Sequence, residues 1–198
     1  MKKITKYIPT IILTLLCSCS DYLDIVPDNV TTLDIVFNNR NTAERYLANC
    51  YHFVPDHGSV KRIPGMGAGH ECWFYTTNDS HFDNEVSFYI ARGLQNIDAP
   101  YANYWDGEGG SNLPMFRAIR ECNIFLDYVR DQHKVNDLTD SERKRWIAEV
   151  NVLKAYYHFF LFEHYGPIPI VDKALPVSTD PEGVKVTRMP VDQIVDYM

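Results

Sequence analysis

The 198-residue sequence has little positive charge, with 19 Lys and Arg residues against 26 Asp and Glu residues and a formal net charge of −7. Nucleic-acid binders need basic surfaces to displace counterions from phosphates, so this balance argues against a nucleic-acid partner. Cysteine is also scarce, with five in the chain. Cys17 and Cys19 belong to the N-terminal region, and the odd remainder, Cys50, Cys72 and Cys122, excludes a disulfide framework.

Several site motifs are missing as well. His70-Glu71-Cys72 and His81-Phe82-Asp83 lack the helix-spaced histidine pair or the paired Cys-x-x-Cys that hold zinc, so we expect no metal and no cofactor. The glycine-rich residues 65–69 lack the Lys-Ser/Thr pair of a phosphate loop. The acids between Asp79 and Glu85 have no separation that the sequence fixes, so the chain offers no supported pair of catalytic carboxylates. We therefore predict a protein that is not an enzyme.

The N-terminus carries a secretion signal in place of a membrane-spanning run. Three lysines within the first six residues precede a mostly apolar stretch over residues 7–16, which is typical of a signal peptide and too short to span a bilayer. Leu16-Cys17-Ser18-Cys19 resembles the lipobox of bacterial lipoproteins, with a small residue directly before the lipid-bearing cysteine. We predict a signal peptide over residues 1–18 and lipid attachment at Cys19, which supplies the membrane affinity. The alternative is a plain cleaved signal with two incidental cysteines.

An acidic tether is predicted over residues 19–40, because Asp21-Tyr22-Leu23-Asp24 resembles the start of lipoproteins that reach the outer face of an outer membrane. A helix follows, with Asn41 as its cap and Glu44 as the acid of a capping box. Its apolar stripe includes Cys50, and Cys122 stands on the stripe of a later helix. We expect both cysteines to pack in the core as small hydrophobic residues.

Two further patterns predict longer helices over residues 114–130 and 139–165, the second starting at a capping box of Thr139 and Glu142. Apolar residues form two faces of this second helix: Trp146, Val150, Leu153, Tyr157 and Phe160 or Leu161 on one, and Ala155, Phe159 and Phe162 on the other. We therefore expect it to be central and buried. A last helix opens at Val191 and has no end within the sequence, which predicts the front fragment of a longer protein.

Residues 56–113 contain most of the glycines and no long period of either kind. A segment this long without regular structure is usually functional. Sugar rings stack their C–H faces on aromatic side chains, while their hydroxyls bond to polar partners at the rim. The segment offers that mixture as ligand-binding candidates: Trp73, Tyr75, Asn78, Asp79, Tyr101, Tyr104 and Trp105. The alternative is that these side chains pack the long loop onto the helices.

The third helix and the residues after it resemble the signature of the SusD/RagB family of outer-membrane nutrient-binding lipoproteins. The resemblance rests on Glu149, Leu153-Lys154-Ala155, Tyr156-Tyr157, Phe159, Leu161 and Tyr165-Gly166-Pro167-Ile168-Pro169-Ile170. The run Ile119-Arg120-Glu121-Cys122-Asn123-Ile124-Phe125-Leu126, the stretch Tyr46-Leu47-Ala48-Asn49-Cys50-Tyr51 and the lipobox with its acidic tether also agree. Lys154 replaces the arginine usual in the family, which keeps the charge and loses the planar fork that can bind two acceptors at once.

The resemblance implies a mainly α-helical SusD-like fold, with tetratricopeptide-like helical pairs and a long irregular aromatic loop. Residues 41–198 would be the N-terminal part of that domain. Ala155, Phe159 and Pro167 match the spacing of the second helix of a tetratricopeptide repeat.

The resemblance also implies a lipid-anchored protein at the cell surface. It would bind a glycan or similar nutrient as the lid of a SusC-like TonB-dependent outer-membrane transporter. Two other functions stay open. One is a helical-repeat adaptor lipoprotein that binds only proteins. The other is a lipid-anchored glycoside hydrolase, which would need two essential carboxylates.

Overall fold

The computed structural model describes residues 32–58, 65, 67–69, 86–98, 100–107, 113–176, 182 and 185–198. These residues form helices and connections, and none of them lies in a β-strand. The helices, in chain order, are α1 (Leu33–Val36), α2 (Arg40–Tyr51), α3 (Val86–Ala91), α4 (Met115–Arg130), α5 (Asp140–Tyr165) and α6 (Val191–Tyr197). Residues 36–198 form one compact unit, and all packing described below lies within it.

Helices α4 and α5 form an antiparallel pair, and α2 packs against both. Phe125 of α4 faces Trp146 of α5, with ring centroids 6.2 Å apart, and both side chains are buried. Tyr157 links α5 to α2 by donating its hydroxyl proton to the carbonyl of Cys50 at 2.5 Å. The predicted stripes of both long helices thus form one hydrophobic core. This arrangement confirms the mainly α-helical prediction.

The termini of α5 follow the sequence signals. The Thr139 hydroxyl accepts from the amide of Glu142 at 3.3 Å, and the Glu142 carboxylate turns back to the Thr139 amide at 3.4 Å, completing the capping box. Gly166, with φ +66°, ends the helix and donates its amide to Phe162 at 2.9 Å. The predicted bounds of this helix are confirmed.

The predicted cap of α2 is wrong by two residues. Asn39 is the N-cap, and its side chain accepts from the amide of Thr42 at 3.1 Å. Glu44 does not complete a capping box, because its carboxylate lies 2.9 Å from the Arg40 guanidinium in an i, i+4 ion pair. Cys50 is fully buried, as predicted.

Phe37, which precedes α2, is fully buried. Its ring stacks on Tyr128 of α4 with centroids 4.5 Å apart, and its carbonyl accepts from the amide of Val135 at 3.0 Å. Cys122 lies in the same core and is also fully buried, which confirms its predicted packing role.

The connection between α4 and α5 is organised by one buried cation. Arg143 is 8% exposed, and its guanidinium donates to four carbonyls, those of Val129, Asp131, Lys134 and Val135, at 2.6–3.2 Å. A guanidinium has five N–H donors in a rigid fork, so one side chain can satisfy several carbonyls at the end of α4. Arg143 therefore ties the start of α5 to the end of α4 and to the connection between them.

Two expectations from the sequence are wrong. Residues 56–113 contain a short helix, α3, whose first three residues are buried and which ends near Gly93 with φ +72°. A helix of six residues is too short to give a recognisable period. The second face of α5 is less buried than expected: Phe159 is 47% exposed, and Ala155 and Phe162 are half-buried.

None of the helices in the described part of the chain is long and apolar enough to cross a membrane.

Candidate functional site

The turn over residues 101–107 carries Trp105 and is held from two directions. The Tyr165 hydroxyl, at the end of α5, accepts from the amide of Tyr104 at 2.8 Å and donates to the carbonyl of Ala102 at 3.3 Å. The carbonyl of Tyr104 in turn accepts from the amide of Met115 at 2.9 Å, at the start of α4. The turn is therefore fixed to the ends of both long helices.

Trp105 is half-buried, with side chains of three segments around its ring. The ring meets Phe116 edge-on, with centroids 4.6 Å apart, and Tyr165 in the same manner at 5.5 Å. The Arg188 guanidinium lies over the ring, 5.2 Å from its centroid, in a cation–π contact. These contacts hold the indole in one orientation.

An open cavity of about 310 Å³ lies beside this ring, at the lower end of the range for small-ligand pockets. Its lining comes from the turn, α4 and the extended segment after α5: Trp105, Phe116, Arg120, Pro169, Val171, Lys173, Leu175 and Val186. Apolar walls with a few polar groups are the usual make-up of a ligand site.

The extended wall of the cavity is pinned by side chains of the two long helices. Asn123 donates its amide to the carbonyl of Val171 at 2.9 Å, and Arg120 donates to the carbonyl of Leu175. Lys154 donates to the carbonyl of Asp172 at 3.1 Å and to its carboxylate at 2.6 Å. Backbone groups of an extended segment outside a sheet need such partners. Arg120, Asn123 and Lys154, all from the motifs that resemble the family, therefore hold the extended segment in place as a wall of the cavity.

Lys154, which replaces the arginine usual in the family, pairs with Asp172. The side chain of Lys154 is almost wholly buried, whereas that of Asp172 is 67% exposed. The hydrogen bond from Lys154 lowers the pKa of the Asp172 carboxyl, and a second bond from the Tyr197 hydroxyl at 3.0 Å acts in the same direction. Lysine thus binds two acceptors of one residue without a planar fork.

His158 is fully buried behind the same segment. Its Nδ1 lies 2.8 Å from the carbonyl of Lys154, and its Nε2 accepts from the amide of Val171 at 3.4 Å. Burial lowers the pKa of the imidazole to about 4. The neutral ring, protonated at Nδ1, therefore bridges α5 and the cavity wall.

The candidates named from the sequence have different positions. Trp105 lines the cavity. Tyr101 stacks on Tyr89, with centroids 4.4 Å apart and planes at 13°, and does not line it. Tyr104 does not fit its predicted role in ligand binding, because its side chain is fully buried between Phe160 and His164 and the ring has no surface to offer a ligand. Five candidates lie outside the described residues: Cys19, Trp73, Tyr75, Asn78 and Asp79.

Sequence reasoning missed Phe116, Arg120 and Lys173 as cavity residues. One signal could have found the first two: Phe116 and Arg120 lie four positions apart and off the apolar stripe of α4. An aromatic residue and a cation that share a second helix face mark a surface other than the core. Lys173 carries no such signal, since its position depends on how the extended segment folds back.

Within the described ranges, no group of three or more His, Cys, Asp or Glu side chains could hold a metal ion.

A comparison with protein families matches residues 21–198 to a SusD-like family model described as "Starch-binding associating with outer membrane". The match covers the helices, the Trp105 turn and the cavity wall. A search of curated proteins gives no match. The chain belongs to the SusD-like family.

Proposed function

We propose that this protein is a cell-surface glycan-binding lipoprotein that works as the lid of a TonB-dependent outer-membrane transporter. The observation that carries the proposal is Trp105, half-buried at the edge of an apolar cavity in a family described as starch-binding. An indole in a cavity is suited to the apolar face of a sugar ring. The family consists of binding proteins rather than enzymes, which favours capture over hydrolysis.

The hydrogen bonds that hold the site in place also support glycan binding. The turn that bears Trp105 is bonded to Tyr165 and Met115, and the opposite wall is bonded to Asn123 and Lys154. A site that is already formed loses less conformational entropy when a ligand binds. A preformed cavity of about 310 Å³ therefore favours recognition of a small part of a glycan.

Binding is tested on the mature chain without residues 1–18 and with Cys19→Ser, by calorimetry against a panel of neutral and charged oligosaccharides. Chromatography of the same mixtures detects cleavage. We expect saturable binding without products. Trp105→Ala should abolish binding, whereas Phe159→Ala, an exposed aromatic that does not line the cavity, should leave it unchanged. Cleavage products would instead support the hydrolase, and a lack of sugar binding the protein adaptor.

The lipid anchor and the transporter partner need separate tests. Metabolic labelling with a radioactive fatty acid should mark the protein, and Cys19→Ser should remove the label. Protease added to intact cells should degrade the native protein if it faces outward. Affinity purification from detergent-solubilised outer membranes should recover a SusC-like transporter, and recovery of the protein alone would contradict the lid assignment.

A further inference from the structure

The described lining of the cavity beside Trp105 is positively charged, in an otherwise acidic chain. Arg120 and Lys173 belong to this lining, and none of the described lining residues has a carboxylate. Arg188 adds a third cation, 5.2 Å from the centroid of the Trp105 ring. The whole sequence has seven more acidic than basic residues, so composition alone does not explain this local excess.

The acidic residues directly next to Lys173 and Arg120 in sequence are engaged elsewhere. The Asp172 carboxylate, next to Lys173, bonds to Lys154 at 2.6 Å and to Tyr197 at 3.0 Å. The Glu121 carboxylate, next to Arg120, bonds to the Tyr46 hydroxyl and lies 3.9 Å from Arg117. Both acids are therefore committed to other side chains.

The cations themselves have donors left over. In the described part of the chain, Arg120 donates to one carbonyl, that of Leu175, and Arg188 to one, that of Pro167 at 2.9 Å. A guanidinium has five N–H donors and an ammonium three, so several remain for a ligand. Lys173 is exposed and forms no ion pair with a described carboxylate.

From this arrangement we infer that the cavity takes an anionic sugar, one with a carboxylate or sulfate group, and that it prefers this sugar to a neutral one. The inference rests on the proposed glycan binding and names its substrate class. The anionic group would accept from Arg120 and Lys173, and the sugar ring would lie against Trp105. Charge-assisted hydrogen bonds to an anion are stronger than those to a hydroxyl, which gives the preference.

Matched probes test the inference by calorimetry on the mature chain. Tetragalacturonate is compared with its methyl ester, and a sulfated galactan tetrasaccharide with its desulfated form, so the two sources of negative charge are separated. We expect at least one anionic probe to bind roughly ten- to hundredfold tighter than its neutral counterpart, which is the gain in affinity from one hydrogen bond to a charged group. The preference should shrink between about 50 and about 300 mM NaCl.

Variants locate the preference. Arg120→Gln and Lys173→Gln should each reduce it, whereas Lys144→Gln, an exposed lysine of α5 outside the cavity, should not. Lys173→Gln keeps the test valid if Arg120→Gln disturbs the fold, because Lys173 holds no described backbone group. Equal affinity for charged and neutral probes would overturn the inference and leave glycan binding standing. Failure to bind any probe, maltotetraose included, would overturn both.

Discussion

The hydroxyl of Tyr165 and the backbone amide of Tyr104 are 61 residues apart in sequence and 2.8 Å apart in the structure. Through this bond the Tyr-Gly-Pro-Ile-Pro motif at the end of α5 reaches the turn that bears Trp105. The edge of the Tyr165 ring also meets the indole. One motif side chain thus both positions the aromatic residue and packs against it.

Tyr165→Phe should lower the free energy of unfolding and weaken glycan binding together. The change removes the acceptor of the Tyr104 amide, which costs about 1–3 kcal/mol for a donor left unsatisfied. Denaturant unfolding and calorimetry measure the two effects. Tyr128→Phe is the matched control, because its hydroxyl has no hydrogen bond to the described residues. Similar losses in both variants would contradict the special role of Tyr165.

Gly107→Ala should be more destabilising than Gly93→Ala. Both glycines have a positive φ, +85° and +72°, so a side chain at either site costs about 1–2 kcal/mol of backbone strain. At Gly107 a Cβ would also lie 2.9 Å from the Cβ and Cδ atoms of Pro114, whereas at Gly93 it would meet nothing within 4 Å. The difference in unfolding free energy between the two variants isolates the clash, and equal losses would show that Pro114 yields.

Much of the helical scaffold could be predicted from the sequence, because caps and apolar spacing act locally. The Thr139 capping box and the Cys122 stripe are examples. The exposure of Phe159 could not be predicted, since it depends on which neighbours cover α5. For the site, Trp105 was predictable as an aromatic residue in a long loop. Lys173 was not, because the fold of an extended segment brings it to the cavity.

Arg143→Met should strongly destabilise the α4–α5 connection. The buried guanidinium donates to four carbonyls, and methionine leaves them without these donors, at a cost on the order of 3 kcal/mol. Arg145→Met provides the control, because its contact with Glu149 at 3.5 Å is exposed and is worth about 0.5 kcal/mol. Thermal and denaturant unfolding measure both. Arg143→Lys should recover only part of the loss, since an ammonium has three donors.

Stability should fall as the pH is lowered from about 6.5 to about 4, because His158 is neutral in the folded chain. Burial lowers its pKa from 6.5 to about 4, so the unfolded chain binds a proton in this window that the folded chain does not. The contribution of neutral His158 to the free energy of unfolding is fully present above pH 6.5 and is lost as the pH falls towards 4. It amounts to roughly 3 kcal/mol in all. Protonation would remove the acceptor that Nε2 offers to the Val171 amide, and so would loosen the attachment of the cavity wall to α5.

The measurement is the slope of unfolding free energy against pH in the wild type and in His158→Gln, which does not titrate. Glutamine lowers stability at neutral pH, so the slope is the informative quantity. It should flatten in this variant and stay as in the wild type in His133→Gln, an exposed histidine after α4. The Asp172 carboxyl, whose pKa is lowered by Lys154, adds a separate loss below its ordinary value of 3.8. An unchanged slope between pH 6.5 and 4 in His158→Gln would show that another group controls the acid sensitivity.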